Sequence, residues 1–215
     1  MAIDQVADED SPLIYGLEFQ SRALCSHSIH LNNDSTAVRF VVGTQSIKCE
    51  NQVHLLEFNE ENNTLSKAIF RHSDGEIWNV SSSEKFPNLI ATSYSNESHT
   101  SQGKVNNNCS IWRFPIDLSN NLIDEDLITS NLLEKVCDLK GGEDNLLGRK
   151  TVWHPEDGSK IISLANENQL LLWDVESHKF MSTISCEYPT NTKNVNRTNK
   201  VTSFKWSPHS NCGLI

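Results

Sequence analysis

"TVWHPEDGSKIIS", Thr151 to Ser163, and "FKWSPHSNCGLI", Phe204 to Ile215, carry the same features in the same order. Each sets a Trp two residues ahead of a Pro, Trp153 with Pro155 and Trp206 with Pro208. Each then reaches an apolar pair, Ile161–Ile162 and Leu214–Ile215, six residues past the Pro. Trp153 and Trp206 stand 53 residues apart, so the chain reads as an internal repeat before any single element is assigned. A second feature recurs on the far side of each unit: "LLLWD" ends on Trp173 and Asp174, "CSIWR" on Trp112 and Arg113, and "VHLLE" on Leu56 and Glu57. These are short β-prone segments whose alternation turns one face inward, each followed by a polar turn.

The stretches between them, "RFVVGT" (Arg39 to Thr44), "LIATSY" (Leu89 to Tyr94) and "KIISLA" (Lys160 to Ala165), also read as strands. Each unit therefore predicts four strands: an inner one ending near Trp-x-Pro, a "LIATS" type, a "LLLWD" type, and a variable outer one such as "KFMSTIS" (Lys179 to Ser185). Four-stranded units that bury their faces against their neighbours make a β-propeller, so the predicted fold class is all-β, a propeller of Trp-Asp repeats. Stacked sheets sit about 10 Å apart, and a large aromatic fills that gap. Trp78, Trp112, Trp153, Pro155, Trp173, Asp174, Trp206 and Pro208 are accordingly expected to be blade framework, and no interaction surface is assigned.

Predicted boundaries are a disordered acidic N-terminus over 1–13 and a partial propeller over 14–215. Its blades span approximately 14–72, 73–140 and 148–186, and a truncated fourth spans 199–215. The units exceed the usual length of about 40 to 45 residues, and the excess has visible places. "SNESHTSQGKVNNN" (Ser95 to Asn108) stands where a tight hairpin turn is expected. "PIDLSNNLIDEDLITSN" (Pro115 to Asn131) has apolar pairs too ragged for a helix, through to Leu132 and Leu133, and reads as a surface loop with a few anchors.

The formal net charge of −10 opposes a polyphosphate partner, so nucleic acid is not expected as a ligand. Lys193, Arg197, Lys200 and Lys205 are interleaved with Asn and Thr and read as a solvated connection. No run of 18 apolar residues could span a bilayer, and the first residues, rich in acids, lack the basic and apolar regions of a signal peptide. A cytosolic chain without membrane insertion is expected, with its six cysteines reduced. "CSHSIH" (Cys25 to His30) groups a thiol and two imidazoles, but no second ligand pair completes a zinc site, so no metal or cofactor is predicted. His72, in "RHSDGEIW" (Arg71 to Trp78), is expected to hydrogen-bond within a blade. Nucleophile-elbow, phosphate-loop and His-Glu-x-x-His motifs are all missing, and no enzyme or small-molecule substrate is predicted.

The succession "IYGLEFQSRAL" (Ile14 to Leu24), "RFVVGTQS", "NQVHLLEF", "GEIWNVSSS", "IWRFP", "KIISLA" with "LLLWD", and "WSPHSNC" (Trp206 to Cys212) resembles the EARP and GARP complex-interacting protein family of Trp-Asp-repeat proteins. The resemblance implies a seven-bladed propeller acting as a non-catalytic adaptor. Its partners would be two related multisubunit tethers of endosomal recycling and endosome-to-Golgi transport, so the chain would be cytoplasmic and peripheral at the trans-Golgi network and endosomes. The alternative is a propeller adaptor in another assembly, a ubiquitin-ligase substrate receptor or a histone-binding module. In the third repeat, Asn166 and Glu167 stand where such blades place an Asp, which weakens a regular hydrogen-bonded tetrad there. Seven blades need about 300 residues, whereas this chain supplies about three and the first strand of a fourth. The expectation is a chain that breaks inside a blade and is unstable or aggregation-prone alone.

Overall fold

The computed structural model describes residues 13–27, 37–47, 50–97, 105–115, 118, 131–140, 147–165, 168–186 and 201–207. The proposed acidic N-terminus lies outside these residues apart from Leu13. So do Pro208, Leu214, Ile215, Asn166, Glu167, the basic residues 193, 197 and 200, and most of the segment after Pro115.

Among the described residues every regular element is a strand. Sheet 1 contains β1 (Gln20–His27), β2 (Ala37–Gln45), β3 (Asn51–Asn59) and β4 (Thr64–His72). Sheet 2 contains β5 (Glu76–Ser82), β6 (Leu89–Glu97), β7 (Val105–Arg113) and β9 (Glu134–Asp138), while β8 (Asn131–Leu132) joins the far edge of sheet 1. Sheet 3 contains β10 (Leu147–Trp153), β11 (Lys160–Ala165), β12 (Gln169–Asp174) and β13 (Lys179–Ser185). All pairings are antiparallel except β4 with β8, and all join chain neighbours except that pair and β7 with β9. The first strands β1, β5 and β10 lie side by side, and the sheets stack face to face around them.

Alternation along each strand divides its apolar residues between two cores, which is why these sequences form stacked sheets instead of one flat one. Ile90 faces sheet 1, joining Val41, Leu55 and Phe70, and its neighbour Ala91 faces sheet 3. Ile161 likewise faces sheet 2, and Ile162 packs under Phe204 and Trp206 of the C-terminal described segment. This is an all-β partial propeller. At the meeting of sheets 1 and 2, a Cβ on Gly43 would stand 2.6 Å from Cγ2 of Ile77, so glycine permits that approach.

Two stretches differ from expectation. Both ends of "SNESHTSQGKVNNN" are ladder, because β6 and β7 stay in register out to Asn96 opposite Asn106 and Glu97 opposite Val105, while 98–104 lie outside the described residues. The polar composition of these ends conceals strand residues whose backbone is paired. The Pro115–Asn131 stretch is anchored at both ends: Leu118 and Leu133 are buried in the core between sheets 1 and 2. The amide of Leu133 donates to the carbonyl of Arg71 at 3.1 Å, and Asn131–Leu132 pairs in parallel with Phe70–Arg71. Leu132 is exposed, and Leu122, Ile123, Leu127 and Ile128 lie outside the described residues. Asn131–Leu132 thus extends the β4 edge of sheet 1 and β9 then pairs in sheet 2, so the described ends of the stretch strap the two sheets together.

A buried ion pair fixes the start of that strap. Arg39 on β2 donates from Nε to Glu57 Oε2 on β3 at 2.6 Å, and from Nη1 to the carbonyl of Leu118 at 2.9 Å.

The face of sheet 1 turned away from sheet 2 has little cover. Tyr15 reaches it, its hydroxyl 2.8 Å from Nδ1 of His54, but Leu24 is 65% exposed and Val38 and Phe40 about 40%. Exposed apolar faces and edges of sheets promote association. The 215-residue chain alone is therefore expected to melt broadly and to aggregate on heating, as followed by circular dichroism with light scattering. A sharp, reversible monomeric transition would contradict this.

Candidate interaction surface

The aromatic framework is built from hydrogen bonds that cross strands. Trp112, on the third strand of sheet 2, donates from Nε1 to Thr92 Oγ1 at 2.8 Å, and His72 Nε2 lies 3.0 Å from the same oxygen. Trp173, on the third strand of sheet 3, repeats this with Ser163 Oγ at 2.9 Å. In both cases the acceptor lies two residues beyond the residue paired with the Trp, Ile90 or Ile161. The same register in sheet 1 gives Leu56 opposite Phe40, with Val42 in the acceptor's place. Donor and acceptor are both replaced by apolar groups there, which avoids an unsatisfied buried partner.

Trp153 and Trp78 differ, because both lie on or beside the inner strands. Trp153 Nε1 donates to the carbonyl of Ser81 at 3.0 Å, and the Thr151 amide donates to Asn79 Oδ1 at 3.0 Å, tying β10 to β5. Trp78 is half-buried, donates to Ser95 Oγ at 2.7 Å, and carries the Arg22 guanidinium 5.6 Å from its ring centroid. Pro155 begins a turn in which Nδ1 of His154 accepts from the Glu156 and Asp157 amides. Asp174 closes the β12–β13 turn by accepting from the Ser177 amide at 2.7 Å and its hydroxyl at 2.9 Å. Trp206 packs on His154 with ring centroids 4.4 Å apart.

At one end of sheet 2, Asp74 accepts from Tyr94 at 2.8 Å and from Lys135, which also pairs with Asp138 at 3.1 Å. Ser110 donates to Asp138 at 2.8 Å, and the Lys135 ammonium lies 5.0 Å from the Trp112 ring centroid. Burial pushes the Asp74 carboxyl up, but Lys135 and Tyr94 outweigh it and hold it below the usual range. The network joins the β4–β5 turn to the outer strand β9.

Three buried imidazoles give the fold a pH dependence. Burial lowers His27, His54 and His72 to about 4, reinforced by Arg39 at His27 and by Lys67 at His54, and opposed by Asp74 at His72. A depressed folded pKa means that the native state keeps these rings neutral while the unfolded chain takes up protons below about 6.5. Their contribution is complete above that value and lost as pH falls toward 4. The Tm is expected to be level above pH 7 and to drop steadily from 6.5 to 4.5; a Tm unchanged down to pH 5 would refute the assignment.

Cys25 and His27 do not come together with a third ligand. His27 Nδ1 lies 2.6 Å from Ser82 Oγ and its ring packs on Phe114, while His30 is outside the described residues. Among the described residues no group of three or more His, Cys, Asp or Glu is arranged around a metal. Burial raises the Cys25 and Cys109 thiols to about 12, so neither is a thiolate at neutral pH.

A cavity of about 520 Å³ lies along the inner strands, with Leu24, Ser81, Lys150, Val152, Trp153 and Lys205 among its walls. Sequence reading did not find it, because its walls come from four segments far apart in the chain. The repeat carried only part of the signal: at the 53-residue offset of Trp153 and Trp206, Lys150 aligns with Ser203, and Lys205 aligns with Val152, two residues further along the same face.

Residues 9–212 match the family model described as EIPR1 beta-propeller. The EARP-interacting protein homolog of Gekko japonicus is 39% identical over 213 residues, 97% of this chain and 52% of that protein. EARP and GARP complex-interacting protein 1 of Homo sapiens is 38% identical over 212 residues, with the same coverage of both chains. The WD repeat-containing protein DWA2 of Arabidopsis thaliana is 28% identical over 199 residues, 91% of this chain and 49% of that one. The chain spans about half the length of these curated relatives. It belongs to the EIPR1 beta-propeller family.

Proposed function

We propose that the chain is a non-catalytic adaptor that binds subunits of the EARP and GARP complexes and acts at endosomes and the trans-Golgi network. The observation that carries this reading is the match over nearly the whole chain to relatives named for interaction with those complexes. Two features of the molecule fit it. The side chains that could have suggested chemistry are engaged in framework contacts, with His72 on Thr92, His27 on Ser82, and the indoles of Trp78, Trp112 and Trp173 on hydroxyl groups. A rigid stack of sheets also presents connecting loops at both ends, where propellers bind partners. The proposed blades remain 14–72, 73–140 and 148–186, followed by 199–215, with the eight framework residues as structural.

Affinity purification of the tagged chain from cells distinguishes this from service in another assembly. Recovery of EARP or GARP subunits supports it. Recovery of ubiquitin-ligase or chromatin subunits in their absence overturns it.

A further inference from the structure

Lys150 is the unusual group in the inner-strand cavity. Its ammonium donates to Ser203 Oγ at 2.6 Å and lies 5.4 Å from the Phe204 ring centroid, while burial and the nearby Lys205 both push its pKa down. Neither lysine enters an ion pair among the described residues. In a chain with ten more acidic than basic groups, two adjacent lysines facing a cavity without a carboxylate between them form a local exception. Glu84 is on the same wall but at its far end. The Thr151 amide is bonded to Asn79, which sets Lys150 beside the middle of β5, whereas Glu84 lies in the turn past the end of that strand at Ser82.

The slot is long as well as positive. Over Asn79–Ser82 the β5 wall runs about 13 Å, the reach of four extended residues, and the lining continues to Glu84 in the turn beyond. Its lining combines apolar groups, Leu24, Val152 and Trp153, with hydroxyls such as Ser26 and Ser81. A compact anion would use the lysines and leave the apolar wall uncovered, whereas a strand of alternating acidic and apolar side chains uses both.

We propose that this slot binds an extended, acidic segment of a partner polypeptide, with Lys150 and Lys205 receiving its carboxylates and Leu24 and Val152 its apolar side chains. This rests on the reading of the chain as a protein-binding adaptor and adds the kind of partner segment it takes. The negative charge elsewhere repels such a segment and confines it to the slot. Charge-assisted contacts of this kind weaken with salt.

The test is fluorescence anisotropy on the full chain with a labelled eight-residue peptide alternating Glu and Leu, beside one alternating Gln and Leu. The Glu peptide is expected to bind about tenfold tighter or better, and to lose that advantage in Lys150→Gln/Lys205→Gln and on raising salt. Lys150→Arg keeps the charge and should retain binding, and circular dichroism shows whether each variant is folded. Equal binding of the two peptides to the wild-type chain would overturn the proposal, as would full retention in a folded double variant. Complete displacement of the peptide by inorganic phosphate would also overturn it, showing a site for small oxyanions only. A folded double variant that loses the peptide but still recovers EARP or GARP subunits would separate the two readings, leaving the adaptor role standing and moving that contact elsewhere.

Discussion

Arg39→Met is expected to lower the unfolding free energy by about 3–5 kcal/mol, because it leaves the Glu57 carboxylate buried without its guanidinium partner. The loss has a second component. The Leu118 carbonyl gives up the Nη1 donor that holds the start of the strap between sheets 1 and 2. Replacing both charges, in Arg39→Met/Glu57→Leu, removes the stranded carboxylate and should recover most of the loss. Chemical denaturation followed by tryptophan fluorescence reads both. Equal midpoints for wild type and Arg39→Met would mean that the pair contributes nothing, and a double variant worse than the single would mean that other contacts of Glu57 outweigh the cost of its unpaired charge.

Trp112→Ala should cost a similar amount, about 3–5 kcal/mol, through the cavity left in the core between sheets 1 and 2. The indole also packs on His72, with ring centroids 4.5 Å apart, and on Tyr94 at 6.5 Å. It supplies the donor to Thr92, so truncation removes packing and a hydrogen bond together. Trp112→Phe keeps most of the ring volume and loses only the indole N–H; a cost of about 1–2 kcal/mol is expected. Near-equal destabilisation by the two substitutions would show that the hydrogen bond to Thr92 dominates over volume.

Much of this arrangement can be read in the residues. Strands with consecutive apolar residues, such as "LIATSY" and "KIISLA", identify themselves because both faces are buried, each in a different core. The repeat places Trp112 and Trp173 on equivalent third strands, since period and register together fix what faces what. Elements whose stabilisation comes from distant partners stay hidden. Leu118 is one apolar residue in a polar run, and its burial depends on Arg39, 79 positions earlier. Arg39 and Glu57 look like ordinary surface charges until β2 and β3 are paired, which sets them opposite each other. Asn106 and Asn107 read as loop because the backbone ladder that holds them leaves no mark in side-chain polarity. The lysine slot required the spatial adjacency of β1, β5, β10 and the 201–207 segment, which local pattern does not encode.

The proposed adaptor role is tested most directly with purified components. The chain, shown to be folded by circular dichroism, is mixed with purified EARP or GARP complex, and association is measured by co-migration in size-exclusion chromatography. The account predicts a saturable complex that Arg39→Met weakens only through loss of folded protein. A folded chain that co-migrates with neither complex would contradict it.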